Sequence, residues 1–353
     1  MNPTITTLRQ SLKRKKLDAI CISNPANVSY LSGFKGDDSF LLIDKDKEAL
    51  FITDFRYLQQ AKNEVKDFKI LMFSPPLINK IPKLTKKHHL KKIGFEAAHL
   101  NFDNVRKLNI KRECKFISTD GLIERFRLNK TKPEIKVIKK SADIAVSALK
   151  KTINYIKVGM MELEVAGYLE WRMRKQGAER IAFPTIVASG INSSMPHAIS
   201  SNKKIKKNEP IIIDCGCVFF GYNSDLTRTI FLGRIDAQFR HIYSIIREAQ
   251  QKAISNIRPG VKVSSIDKVA RDYIRRKGFG KYFGHATGHG IGRKVHEAPI
   301  ISSKSGKALK PGMVFTVEPG VYIPGWGGIR IEDMVLVTDK SYKILTHDKY
   351  KSI

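Results

Sequence analysis

The chain has 353 residues, with 64 Lys and Arg against 33 Asp and Glu, a formal net charge of +31. Its hydrophobic share of 42% is enough for packed cores and excludes disorder as the main state, and the length suggests two domains. No apolar run reaches the roughly 18 residues of a membrane span, and Met1–Lys16 lacks the apolar segment of a secretion signal, so a soluble, cytoplasmic protein with no membrane partner is expected.

The first third alternates short strand-like and helical runs. Ala19–Ile22, Phe40–Ile43, Ala49–Thr53 and Lys92–Phe95 read as strands, Tyr57–Val65 as a helix, and Ser74–His89 as a Pro/Lys-rich connection. That alternation predicts an α/β N-terminal domain over residues 1–125. The remainder, 126–353, reads as an α+β domain opening at Thr131-Lys-Pro-Glu134, a capping-box pattern. Behind it Ile135, Ile138, Ala142, Ala145, Leu149, Ile153 and Ile156 repeat at the spacing of one helix face. Further helices are expected over Glu162–Gln176, Phe239–Ile257 and Ile266–Ile274. Strand-like runs fill Thr185–Ser189, Pro210–Phe219, Ser224–Leu232, Met313–Ile323 and Gly328–Val337.

The basic excess is spread through both halves, is richer in Lys than Arg and has few aromatics between its Lys runs, so no specific nucleic-acid partner is expected. Four cysteines are too few for a disulfide framework, and Cys215-Gly-Cys217 lacks the second pair of a structural zinc site; two buried thiols are expected there.

Acidic residues interrupt strands that should be apolar. If Pro210–Leu232 folds back near Phe219/Phe220, Asp214 and Asp225 face each other; a fold centred on Gly325 sets Glu318 against Glu332. Like charges facing across strands repel unless a cation lies between them. Local pairing of Asp225 with Arg228 and of Glu332 with Arg330 is the structural alternative. His197, His285, His289 and His296 add imidazoles, the last three in a glycine-rich stretch whose glycines disfavour a helix and let the backbone come close to a ligand. Four carboxylates with an imidazole suit Mn²⁺ or another hard divalent ion, and five ligands suffice for two ions.

Pro196-His197-Ala, Asp214 with Asn223-Ser-Asp225-Leu-Thr-Arg, His285-Ala-Thr-Gly-His289-Gly-Ile-Gly with His296-Glu, Val317-Glu318-Pro-Gly and Ile329-Arg330-Ile-Glu332-Asp together resemble the pita-bread metallopeptidase family, specifically its Xaa-Pro aminopeptidases and Xaa-Pro dipeptidases. Asn27-Val-Ser-Tyr-Leu-Ser-Gly and Thr53-Asp-Phe-Arg-Tyr57 resemble that family's creatinase/prolidase-type N-terminal domain. The resemblance implies a pita-bread catalytic domain over 126–353 and two divalent metal ions, Mn²⁺ first, with Co²⁺, Fe²⁺ and Zn²⁺ as alternatives. It implies Asp214, Asp225, His289, Glu318 and Glu332 as ligands, and Glu318 also as general base. His197 and His296 would contact the scissile carbonyl, His285 would line the proline pocket, and Arg330 would hold Asp214. The expected substrates are peptides with proline in second position and the expected assembly is a homodimer. The expected activity is that of an Xaa-Pro aminopeptidase, with an Xaa-Pro dipeptidase, or an inactive binding module on the same fold, as alternatives.

Overall fold

The structure, a computed structural model, describes residues 3–109 and 114–347; the outer ends of the two expected domains, residues 1 and 353, lie outside these. The chain forms two compact units, Met1–Arg127 and Leu128–Ile353.

The first unit is built on a six-stranded mixed sheet in the order Lys69–Met72, Ala49–Thr53, Phe40–Asp44, Ala19–Ile22, Lys92–Phe95, Lys115–Ser118. Ala19–Ile22 is buried along its whole length, because apolar clusters cover both faces of the sheet. A strand with no solvent face loses the polar alternation of a half-exposed one, which is why its sequence is a continuous apolar run. Two stretches depart from the sequence expectation. Pro3–Arg14, in the segment read only as polar and basic, is a helix that buries Ile5, Leu8 and Leu12. The connection Ser74–His89 contains a 3-10 turn over Leu77–Lys80 and a helix over Ile81–Lys87.

In the second unit the long helix Lys132–Tyr155 begins at the expected capping box. Thr131 Oγ1 and backbone N both donate to Glu134 Oε2, at 2.7 and 2.8 Å. Thr131→Ala is expected to destabilise this unit by about 1 kcal/mol, read as a lower urea midpoint with an unchanged slope. The helix packs with Glu162–Lys175 over one apolar cluster, while helices Ala237–Ser255 and Val263–Arg276 cover another that contains Phe239 and Phe315. Cys215 and Cys217 are free thiols buried in the first of these clusters, behind their strands.

Two antiparallel hairpins carry the acidic residues. Pro210–Cys215 pairs with Leu226–Phe231, and the hairpin is closed by Cys217–Phe219 against Tyr222–Asn223. Its turn is Phe220-Gly221, both with positive φ (46° and 72°), the two-residue geometry that suits the right-handed twist of paired strands. The turn therefore lies one residue later than the sequence suggests, and the register moves by two. Thr227, not Asp225, is opposite Asp214. A shift of two preserves the pleat, so Asp214, Asp225 and Thr227 still project from one face.

In the other hairpin Val317 pairs with Asp333 and Gly320 with Arg330. The register is the same on both sides of the gap, which places Glu318 across from Glu332 about a centre at Gly325, as the sequence predicts. Val314–Val317 also borders Gly288–Gly290 within a five-stranded sheet. Glycines 288 and 290 are required by that packing, and Gly288 also lines the cavity described below. A Cβ would come within 1.9 Å of Thr316 O at residue 288, and within 2.1 Å of Ala298 O at residue 290.

Candidate active site

The two hairpins, the strand holding His289, the following segment with His296 and the loop holding His197 surround one cavity of about 750 Å³. All nine residues singled out in the sequence line it. Asp225, Glu332 and Arg330 are buried at its floor, Asp214, Glu318, His285 and His289 are half-buried, and His197 and His296 are exposed.

Local pairing does not neutralise these acids. Arg228 bonds Asp333 at 2.8 Å and not Asp225; Arg330 bonds Asp214 at 2.6 Å and not Glu332. Asp225, Glu318 and Glu332 thus share a small volume with a single guanidinium that is committed elsewhere. Burial, reinforced by the neighbouring carboxylates, holds the Asp225 and Glu332 carboxyls well above the ordinary carboxylate range, and burial raises Glu318 as well.

The orientation of His289 sharpens the problem. Its Nδ1 lies 3.1 Å from Gly290 O, an acceptor, so Nδ1 carries the hydrogen. Burial lowers the imidazole's pKa and keeps the ring neutral. Nε2 then presents a lone pair to Asp225 Oδ2 at 3.5 Å and to Glu318 Oε1 at 3.3 Å. Where those carboxyls are ionised, lone pair facing carboxylate is repulsive, and a cation between them reverses the sign.

Two further atoms point the same way. Asp214 Oδ1 and Glu332 Oε1 are buried without any hydrogen-bond donor, a costly state for a charged oxygen. Ligand atoms of Asp225, His289 and Glu332 all lie within 4.8 Å of one another. The donor set, rich in carboxylate oxygen with one imidazole nitrogen, fits hard divalent cations.

Two other carboxylate oxygens are held by threonines that the sequence reading missed. Thr227 Oγ1 donates to Glu332 Oε2 at 2.7 Å, and Thr316 Oγ1 to Glu318 Oε1 at 2.9 Å. Arg330 donates through Nη1 to Tyr322 Oη at 2.8 Å and to Pro196 O at 3.1 Å, and through Nε to Thr227 Oγ1 at 3.1 Å. Burial moves the Tyr322 hydroxyl up to about 12, so it keeps its proton. His285 Nδ1 faces Ala286 O at 2.8 Å, which leaves Nε2 to accept from Tyr322 Oη at 3.1 Å. A chain from Arg330 through Tyr322 thus fixes the His285 ring. Behind it Arg271 braces the backbone, donating to Phe283 O at 3.0 Å and His285 O at 2.7 Å. The missed threonines had a signal: Thr227 is two residues after Asp225 and Thr316 two before Glu318, the period of one strand face.

Comparison with known proteins agrees with this geometry. Residues 136–339 match the model of metallopeptidase family M24, and residues 5–129 match the creatinase/prolidase N-terminal domain. The chain is 37% identical to the Xaa-Pro dipeptidase of Pyrococcus furiosus over 98% of both chains. Among solved structures, it is similar to an Xaa-Pro dipeptidase from Bacillus anthracis (TM-score 0.94, 40% identity, covering 99% of this chain and 98% of that one). It is also similar to an X-Pro aminopeptidase from Thermotoga maritima (TM-score 0.88, 38% identity, covering 96% and 98%). The chain belongs to metallopeptidase family M24, in its pita-bread Xaa-Pro peptidase group, and is a metallo-exopeptidase.

Proposed function

We propose that the protein is an Xaa-Pro aminopeptidase, hydrolysing the bond between an N-terminal residue and proline in peptides longer than two residues. The observation that carries this choice over a dipeptidase is the cation inventory of the cavity. A free dipeptide ends in a proline carboxylate that wants a charged partner. Arg330 is the one Lys or Arg among the lining residues, and it is committed to Asp214, Tyr322, Thr227 and Pro196 O. The rim instead carries apolar side chains, Ile199 at 86% and Ile300 at 59% exposure, which suit a continuing chain. The dipeptidase reading draws support from the relatives in Pyrococcus furiosus and Bacillus anthracis that carry that name.

Asp214, Asp225, His289, Glu318 and Glu332 would hold two divalent ions, with Mn²⁺ the metal best matched to the hard donors. When bound, the ions supply Lewis acidity toward a water and toward the carbonyl oxygen. Glu318 takes the proton of the attacking water. His197 and His296, at the open side of the cavity, hydrogen-bond the carbonyl oxygen as charge develops on it. His296 stands edge-on to His289 with ring centroids 4.2 Å apart. His285, held by Tyr322, forms a wall for the proline ring. Arg330 keeps Asp214 from rotating.

The test compares Gly-Pro with Gly-Pro-Leu on the Mn²⁺-loaded protein. The tripeptide is expected to show a kcat/KM at least about tenfold higher, the factor given by about 1.4 kcal/mol of unmet carboxylate. Preference for the dipeptide overturns the aminopeptidase reading. No cleavage of either by metal-loaded protein overturns the peptidase reading and favours a binding module.

A further inference from the structure

Glu162 begins the helix Glu162–Lys175, outside the cavity lining, and its side chain is fully buried. Its carboxylate accepts from five donors, all neutral. Oε1 takes Ser189 N at 2.7 Å and Ser189 Oγ at 2.8 Å; Oε2 takes Ser201 N at 3.2 Å and Ser201 Oγ at 2.7 Å. Asn192 Nδ2 reaches both oxygens, at 3.2 and 3.1 Å. These donors bracket one segment: Ser189 and Asn192 precede His197 and Ser201 follows it. The far side of the segment is tied to the cavity floor. Ser193 Oγ accepts from Gly328 N at 2.8 Å, and Pro196 O accepts from Arg330. The stretch carrying His197 is therefore held at its base by Glu162 and at its tip by the strand bearing Arg330.

The donor count explains why a charge is buried here. Five donors converge on two oxygens that offer about four lone-pair sites and no hydrogen, so an acceptor-only carboxylate is filled, with Asn192 Nδ2 shared between its two oxygens. A glutamine of the same shape offers one oxygen and turns an NH₂ toward donors, leaving at least two groups unpaired in a buried site.

We propose that Glu162 is a positioning residue for the hydrolysis, setting His197 against the scissile carbonyl by clamping both ends of its segment. This rests on the role given to His197 above. Glu162→Gln is expected to lower kcat on Gly-Pro-Leu by about tenfold to a hundredfold, the scale of an ångström-sized misplacement, with KM and Mn²⁺ content within about twofold of the parent. Amide exchange over residues 190–199 is expected to accelerate. In the His197→Ala background the same substitution is expected to cost nothing further in kcat, because the clamp acts through that imidazole. A loss that multiplies fully across the two substitutions overturns the proposal and assigns Glu162 a general structural role. Unchanged exchange over 190–199 overturns the clamp whatever the activities. If His197→Ala alone leaves kcat intact, the role of His197 fails, and the positioning proposal with it, while the exchange result still decides whether Glu162 holds the segment. Ser201→Ala, which removes one donor and leaves the carboxylate in place, is expected to give a smaller effect of the same kind and serves where Glu162→Gln does not fold.

Discussion

Glu318→Gln is expected to lower kcat on Xaa-Pro substrates by about 10²–10⁴-fold, the usual scale for losing a general base. Glu318 stands at the junction of both demands on the site. It lies across the hairpin from Glu332, 3.3 Å from the His289 lone pair, and is oriented by Thr316 at 2.9 Å. The amide keeps the shape and one oxygen acceptor, so the Thr316 bond survives, but it cannot take a proton near neutral pH. Steady-state kinetics with metal content measured on the same sample checks this. Retention of more than about a tenth of the parental kcat with full metal occupancy removes Glu318 from the role of base.

Stripping the metal is the second large effect. At a hundredfold excess of free ion over its dissociation constant each site contributes about 2.7 kcal/mol to the folded state, so chelation is expected to lower the thermal midpoint by several degrees. The size of that loss depends on pH with a definite sign. In the stripped protein the Asp225, Glu318 and Glu332 carboxyls sit above their ordinary values. The folded chain then holds protons that the unfolded chain has released, and stability falls as pH climbs from about 4 through the raised values. Bound cations substitute for those protons. The gain in midpoint on adding Mn²⁺ is therefore expected to be larger at about pH 8 than at about pH 5.5. A gain that is flat with pH, or shrinks, contradicts the charge balance described for the site.

Much of this site was legible in the sequence because charge inside an apolar strand is a rare signal. Glu318 and Glu332 fell opposite each other as expected, since the Gly-rich connector between them closes about Gly325 without a net bulge. The Asp214 hairpin was less legible. Its turn uses Phe220, a non-glycine residue with φ of 46°, at a position where side-chain chemistry gives no clue, and the register moved by two as a result. The face survived because the pleat has period two, so the right residues still met. Tyr322 and the two threonines were missed for the opposite reason: hydroxyl and aromatic side chains are ordinary in strands, and only their parity with Glu318 and Asp225 marks them. The buried helix Pro3–Arg14 was hidden by composition, its three basic residues masking the three- and four-residue spacing of Ile5, Leu8 and Leu12.

Anomalous diffraction from crystals grown with Mn²⁺ tests the metal centre most directly. Two peaks about 3.5–4 Å apart, enclosed by Asp214, Asp225, His289, Glu318 and Glu332, are the expected result, with the donor-free Asp214 Oδ1 and Glu332 Oε1 turned toward them. An empty cluster whose carboxylates pair with protons or waters, or peaks confined to other parts of the chain, would contradict it.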